Sequence, residues 1–248
     1  AARDLLDRLI AGQPVGNARR HPAAPGLDPT GHLTTAVGRV ESSAIEATRA
    51  LQLARDALED SMALGTTRPL TSIRQGEIVL LTSGASHHIA TRVRMARRRA
   101  HDEHDVDVRY GMSTAPGGFP AMPRAYREAS LTLSYTSADR AVVSLDELSA
   151  LECALVSADS TTRALIASKG RELNALAAEE RATAVTTVQA FAASDMNIAR
   201  AAQQLYVHPN TVRYRLARIA ERTGHDPRTF SGLLDLICVL DTRGPQAP

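Results

Sequence analysis

Residues 195–223, DMNIARAAQQLYVHPNTVRYRLARIAERT, constrain this chain more than any other stretch. They read as two short amphipathic helices on either side of a tight corner. A helix starting at Ile198 puts Ala202 where a helix-turn-helix needs a small side chain, because the second helix crosses close by. Leu205, Val207, Val212 and Leu216 supply a shared apolar core. Asn197, or Asp195 just before it, is suited to cap the first helix, since a short polar side chain accepts from the orphan amides there. Pro209 opens the second helix, where its missing N–H costs nothing.

At about 100° per residue, Val212, Leu216, Ile219 and Thr223 share one stripe of the second helix, which is therefore the face to be buried. Asn210, Tyr214, Arg218 and Glu221 fall opposite, with Thr211 and Arg213 on the flanks. The N-terminal half of a recognition helix is the part that reaches base edges. Asn210 suits a bidentate contact to adenine and Arg213 one to guanine. Thr211 and Tyr214 suit a phosphate or a thymine methyl group. Arg218 suits the backbone. Arg215 lies nearer the core edge and is a candidate for DNA or for an internal pair. With Asn197 these form the candidate DNA-contacting set, and no catalytic or metal-ligating residue is expected. An arginine-bearing amphipathic helix is by itself more often a solvated face. Three features favour DNA here: the small residue at the crossing, the Pro-Asn-Thr opening, and Arg213, Arg215, Arg218 and Arg222 set against Glu221 alone.

That local concentration matters because the chain as a whole carries a net charge of only +2 over 248 residues. Such a balance excludes nucleic-acid binding by a generally basic surface. The length suits two domains. Lys169 is the only lysine, a bias that resembles GC-rich codon usage more than function. Cys153 and Cys238 have no framework spacing, which suggests a reducing compartment and no zinc site. No apolar run approaches the ~20 residues of a membrane span, and no signal peptide is visible, so a cytoplasmic protein is expected. The chain opens mid-helix, ARDLLDRLIAG, and is expected to lack an N-terminal region.

Upstream, strand and helix patterns alternate. Residues 1–31 read as a helix remnant (Leu5, Leu6, Leu9 and Ile10 on one side) and a Pro/Gly-rich connector. Strands are expected at 32–40, at 71–83 with a hairpin turn at Arg74-Gln75-Gly76-Glu77, at 106–113 and at 141–145. Helices are expected with Ala47, Leu51, Ala54, Leu58 and Met62 inward, over roughly 86–100, and over 120–136. The order implies an α+β layer, an antiparallel or mixed sheet with helices on one face. Beyond residue 146 only helices are expected. The chain thus divides into 1–31, an α+β domain over 32–146, a helical linker over 147–182 and an all-α helix-turn-helix domain over 183–242.

The segment VHPNTVRYRLARI, with the LLDLICVL helix that follows, resembles the C-terminal domain of PucR/CdaR-type bacterial transcriptional regulators, itself similar to the Fis-type helix-turn-helix. GMSTAPGGFPAMPRAYREASLTLSY resembles the Gly-containing strand, loop and helix of their GGDEF-like central domain. The likeness spans about residues 33–241. It implies a regulator that binds double-stranded promoter DNA as a homodimer or higher homo-oligomer and controls catabolic, transport or secondary-metabolism genes. A more N-terminal domain usually does the sensing.

An active diguanylate cyclase needs acidic residues at the end of its first strand and in its signature hairpin to hold two metals. Here the strand ends Val37-Gly38-Arg39-Val40 and the hairpin reads Arg74-Gln75-Gly76-Glu77-Ile78, with a single carboxylate. No cyclase activity and no cofactor are expected. The competing readings are a nucleotide-processing or nucleotide-binding protein built on this domain, and a sensor whose central domain takes a small-molecule effector. The arginine run at Arg92, Arg94, Arg97, Arg98 and Arg99 reads as a solvated face balanced by Asp102, Glu103, Asp105 and Asp107, with DNA-backbone contact or subunit pairing the lesser alternative. His101 and His104 read as a polar loop more than as metal ligands. Gly117-Gly118 reads as a turn, since no phosphate-loop pattern surrounds it.

Overall fold

The structure is a computed structural model that describes residues 2–15, 27–41, 46–63, 68–114 and 117–241. It divides into two compact units, residues 1–148 and 149–248. Part of the Pro/Gly-rich connector, residues 16–26, lies outside the described residues.

The first unit runs α1 (Ala2–Ile10), β1 (Leu33–Val40), α2 (Ala47–Ala63), β2 (Leu70–Arg74), β3 (Glu77–Ser83), α3 (Ser86–His104), β4 (Val108–Met112), α4 (Met122–Leu133) and β5 (Val142–Ser144). Its five strands lie in the order β2-β3-β1-β4-β5. Every pairing is antiparallel except β4 with β5. The sheet is mixed and the class is α+β. The expected single layer of helices is corrected here, because helices cover both faces. Ala36, Ile78, Leu80, Tyr110 and Met112 pack with α2 and α3. The alternate residues Leu33, Val79 and Leu81 pack with Leu5, Leu6 and Leu9 of α1 and with Met122, while Val37 meets Ala129 and Leu133 of α4. A strand buried on both sides has no polar face, so β1 shows six consecutive buried residues.

Local chemistry explains the connections. The β2–β3 hairpin closes with Gln75 at φ 50° and Gly76 at φ 78°, the two positive values that a two-residue turn matched to strand twist requires. Gly118 stands at φ 64°, and a Cβ there would lie 1.9 Å from the Pro29 carbonyl oxygen, which accepts from the Phe119 amide. The turn at Gly118-Phe119 thus pins the end of the connector. On α3, Arg94 pairs with Glu147, Arg97 with Asp107, and Arg99 with Glu103 and Asp60. Three of the five arginines of the run thus pair with acids, partly far away in sequence, and Arg92 donates to the Met62 carbonyl.

The second unit contains α5 (Ala150–Ser157), α6 (Ser160–Lys169), α7 (Arg171–Ala175), α8 (Ala178–Ala193), α9 (Ile198–Gln204), α10 (Pro209–Thr223) and α11 (Phe230–Asp241). Ser149 and Glu152 form a reciprocal capping box on α5. The Asp159 carboxylate accepts from the Thr162 amide at the start of α6, a bond that holds its pKa below the ordinary carboxylate value. The helical segment expected over 147–182 breaks at Gly170, where a Cβ would lie 2.5 Å from the Val239 side chain. Leu173 of α7, within the segment read as a linker, joins Val188, Phe191, Leu216 and Leu236 in one core. On α11, Leu233, Leu236, Val239 and Leu240 are buried in that same core, so its apolar residues complete the helical unit.

Candidate nucleic-acid interface

The corner is built from its caps inward. Asn197 Oδ1 accepts from the Ala199 and Arg200 amides at 3.0 and 3.1 Å and so starts α9. That oxygen is committed to the cap, which leaves the carboxamide NH2 as the group this residue can offer a ligand. Ala201 and Ala202 are both buried, and the small side chains let α10 cross closely. Between the helices Tyr206 takes φ 53°, a left-handed value unusual for a side chain of this size. Its ring is 96% exposed. His208 caps α10, with Nδ1 accepting from the Asn210 amide at 3.2 Å, and Pro209 follows at the first helical position. The histidine cap is not a residue type that cap preferences single out.

On α10, Val212, Leu216, Ile219 and Thr223 are buried. Asn210, Arg213, Tyr214 and Arg218 are exposed, and Thr211 and Arg215 are half-buried. Tyr214 keeps 62% of its surface open to solvent. The helix therefore carries its polar face outward over an apolar seam.

Two hydrogen-bonded groups organise that face. Arg213 Nη1 donates to Asn210 Oδ1 at 2.7 Å, so the two residues suited to base edges are already side by side. One turn further on, Arg218 Nε donates to Glu180 Oε1 at 3.0 Å, and Nη1 donates to the Tyr214 hydroxyl at 3.3 Å. Arg222 Nη2 donates to the other Glu180 oxygen at 3.4 Å. Burial pushes the Glu180 carboxyl up, but the Arg218 bond and the two guanidinium charges outweigh it and hold its pKa below the ordinary value. The Tyr214 hydroxyl, followed by Glu180, holds the Arg218 guanidinium above its own. Arg215 has no ion pair among the described residues. A groove of about 470 Å³ runs between the start of α8 and α10. Leu176, Ala184 and Ile219 line it, with Thr211, Tyr214, Arg215 and Arg218 along α10. Glu180 and Arg222 were not in the set drawn from the sequence. Glu180 lies 38 residues before Arg218, and no local window could have joined them.

In the first unit, the lone hairpin carboxylate is occupied. Arg39 Nη2 lies 2.7 Å from Glu77 Oε1, and the Tyr126 hydroxyl donates to Oε2 at 3.5 Å. Arg74, beside it, pairs with Asp7 of α1 at 2.7 Å and lies over the Tyr126 ring. A guanidinium thus faces the carboxylate where a metal-holding site needs further acids. Among the described residues, no group of three or more His, Cys, Asp or Glu side chains is placed to hold a metal ion. His101 lies 3.3 Å from Asp107 in a polar helix end.

A sheet covered by helices, followed by a capped helix-turn-helix with an exposed polar face, defines a two-part architecture, an α+β domain and a helix-turn-helix domain. Residues 12–135 match the GGDEF-like domain and residues 184–241 match the PucR C-terminal helix-turn-helix domain. The chain belongs to the PucR/CdaR-type family of transcriptional regulators. It is also similar to uncharacterized proteins of Mycobacterium tuberculosis and Mycobacterium bovis, at 36% identity over 115 residues, covering 44% of this chain and 26% of each relative. The chain thus spans about a quarter of the length of these curated relatives. Among solved structures it resembles a regulator of polyketide synthase expression from Bifidobacterium adolescentis, with 24% identity, a TM-score of 0.36, and coverage of 88% of this chain and 81% of that one.

Proposed function

We propose that this chain is a sequence-specific DNA-binding regulator that works in the cytoplasm on promoter DNA. The observation that carries the reading is the exposed face of α10, with Asn210, Arg213 and Tyr214 outward above a buried Val212–Leu216–Ile219 seam. In this reading α10 enters the major groove. Asn210 and Arg213 read base edges, Thr211, Tyr214 and Arg215 border the contact, Arg218 holds the backbone, and the Asn197 amide group meets a phosphate. One helix-turn-helix covers too little DNA for a tight site, so two copies reading two half-sites are part of the proposal. In this reading the α+β domain at 32–146 is a structural, dimerising or sensing module, and 147–182 joins it to the reading head at 183–242. The regulated genes are catabolic, transport or secondary-metabolism genes. No helix among the described residues is long and apolar enough to cross a membrane.

Fluorescence anisotropy against promoter fragments tests this. Asn210→Ala is expected to narrow the gap between operator and unrelated DNA by about 10- to 100-fold, the worth of one good bidentate base contact. Arg218→Ala is expected to weaken all sequences alike. Wild-type protein that binds no promoter fragment at low salt would sink the proposal.

The α+β domain is proposed to carry no cyclase chemistry, since Arg39 neutralises the only hairpin carboxylate. Incubation with GTP and magnesium should leave the nucleotide intact by chromatography. Turnover that disappears in Glu77→Ala would assign the domain to catalysis instead.

A further inference from the structure

The two basic residues nearest the end of the proposed reading helix are not free. Glu180, in the first turn of α8, presents one oxygen to Arg218 at 3.0 Å and the other to Arg222 at 3.4 Å. Its own side chain is only 26% exposed, whereas the two arginines keep 52% and 55% of theirs. The acid is held in the protein while the guanidinium groups reach past it to solvent. A carboxylate accepting from two arginines offers the acceptor chemistry of a phosphate diester: oxygens and a negative charge set against planar donors. The groove beside it is bordered by Thr211, Tyr214, Arg215 and Arg218, four of the residues proposed to meet DNA.

We infer that Glu180 is an internal competitor for the DNA backbone, occupying between Arg218 and Arg222 the place that a phosphate takes in the complex. The inference rests on the proposed DNA-binding function and adds its regulation. In free protein the acid screens these arginines. On a duplex they exchange one anion for another, and the net gain is the difference between the two. The consequence is a ceiling on sequence-independent affinity. A phosphate contact carries no base information, so lowering its yield weakens binding to every sequence by the same factor and leaves the discrimination set by Asn210 and Arg213 as it is.

Glu180→Gln keeps the shape and removes the charge. Binding is measured by anisotropy to a mixed-sequence duplex and to a promoter fragment, at salt between about 50 and 200 mM. The variant is expected to bind both DNAs about 2- to 10-fold more tightly, in keeping with the release of two exposed ion pairs, so that the ratio between the DNAs stays unchanged. Glu179→Gln removes the same charge one residue earlier, from a carboxylate with no arginine partner among the described residues, and is expected to give a clearly smaller gain. In an Arg218→Ala/Arg222→Ala background, Glu180→Gln is expected to give no more than the small gain of Glu179→Gln, so that the difference between the two backgrounds reports the exchange at the arginines free of any long-range charge effect. Thermal melts of all variants confirm that they fold. A gain that is undiminished without the two arginines, an equal gain from Glu179→Gln, or weaker binding by Glu180→Gln overturns the inference while the DNA-binding reading stands. Wild-type protein that binds neither DNA removes that reading, and the inference with it.

Discussion

Leu216→Ala is expected to destabilise the helical unit by about 2–5 kcal/mol and to abolish DNA binding with it. Leu216 is fully buried, in contact with the core that Val188, Phe191 and Leu236 build from two other helices. Removing its branched end leaves a cavity where α8, α10 and α11 converge, and α10 cannot shift to fill it without leaving α9. Domains of this size are stable by only about 5–15 kcal/mol, so the loss is a large fraction of the total. Urea unfolding followed by circular dichroism measures it as an earlier helical transition. Tyr214→Ala, on the opposite face and largely exposed, is the companion variant. It is expected to leave the transition in place while weakening binding. If Leu216→Ala unfolds at the wild-type denaturant concentration, the burial described for α10 is wrong.

The second large effect is expected in the α+β unit. At Gly111 of β4 a Cβ would lie 2.2 Å from both the Ala129 carbonyl oxygen and the Leu133 amide nitrogen of α4. Both are backbone atoms, so no rotamer change relieves the clash. Gly111→Ala must push α4 off the sheet and open the packing of Val37 against Ala129 and Leu133. Overpacking costs typically about 1–3 kcal/mol, and a backbone collision belongs at or above the upper end. A thermal melt that matches wild type would refute the close approach. A Cβ at Gly76, by contrast, would meet nothing within 4 Å, and the cost there comes only from its φ of 78°.

The helix-turn-helix was legible because its signals are local. A cap at Asn197, a small residue at Ala202, a proline at Pro209 and a 3.6-residue apolar stripe each need only a few neighbouring residues to be read. The hairpin at Gln75-Gly76 was legible for the same reason. The two-sided sheet was not. An apolar strand such as β1 accepts helices on one face or both, and only the placement of α1 and α4 opposite α2 and α3 decides. Nor could residue order place α11: only its packing with α8 and α10 put Leu233, Leu236, Val239 and Leu240 in the core.

The sequence by itself determined where α9 and α10 begin, which face of α10 is apolar and that the hairpin holds one carboxylate, since these follow from residue order and helical or strand period. Only the tertiary structure decided what those charges meet: Glu77 against Arg39, and Glu180 against Arg218 and Arg222. Ion pairs between elements depend on how separate helices and strands pack in space, a distance that residue order does not encode.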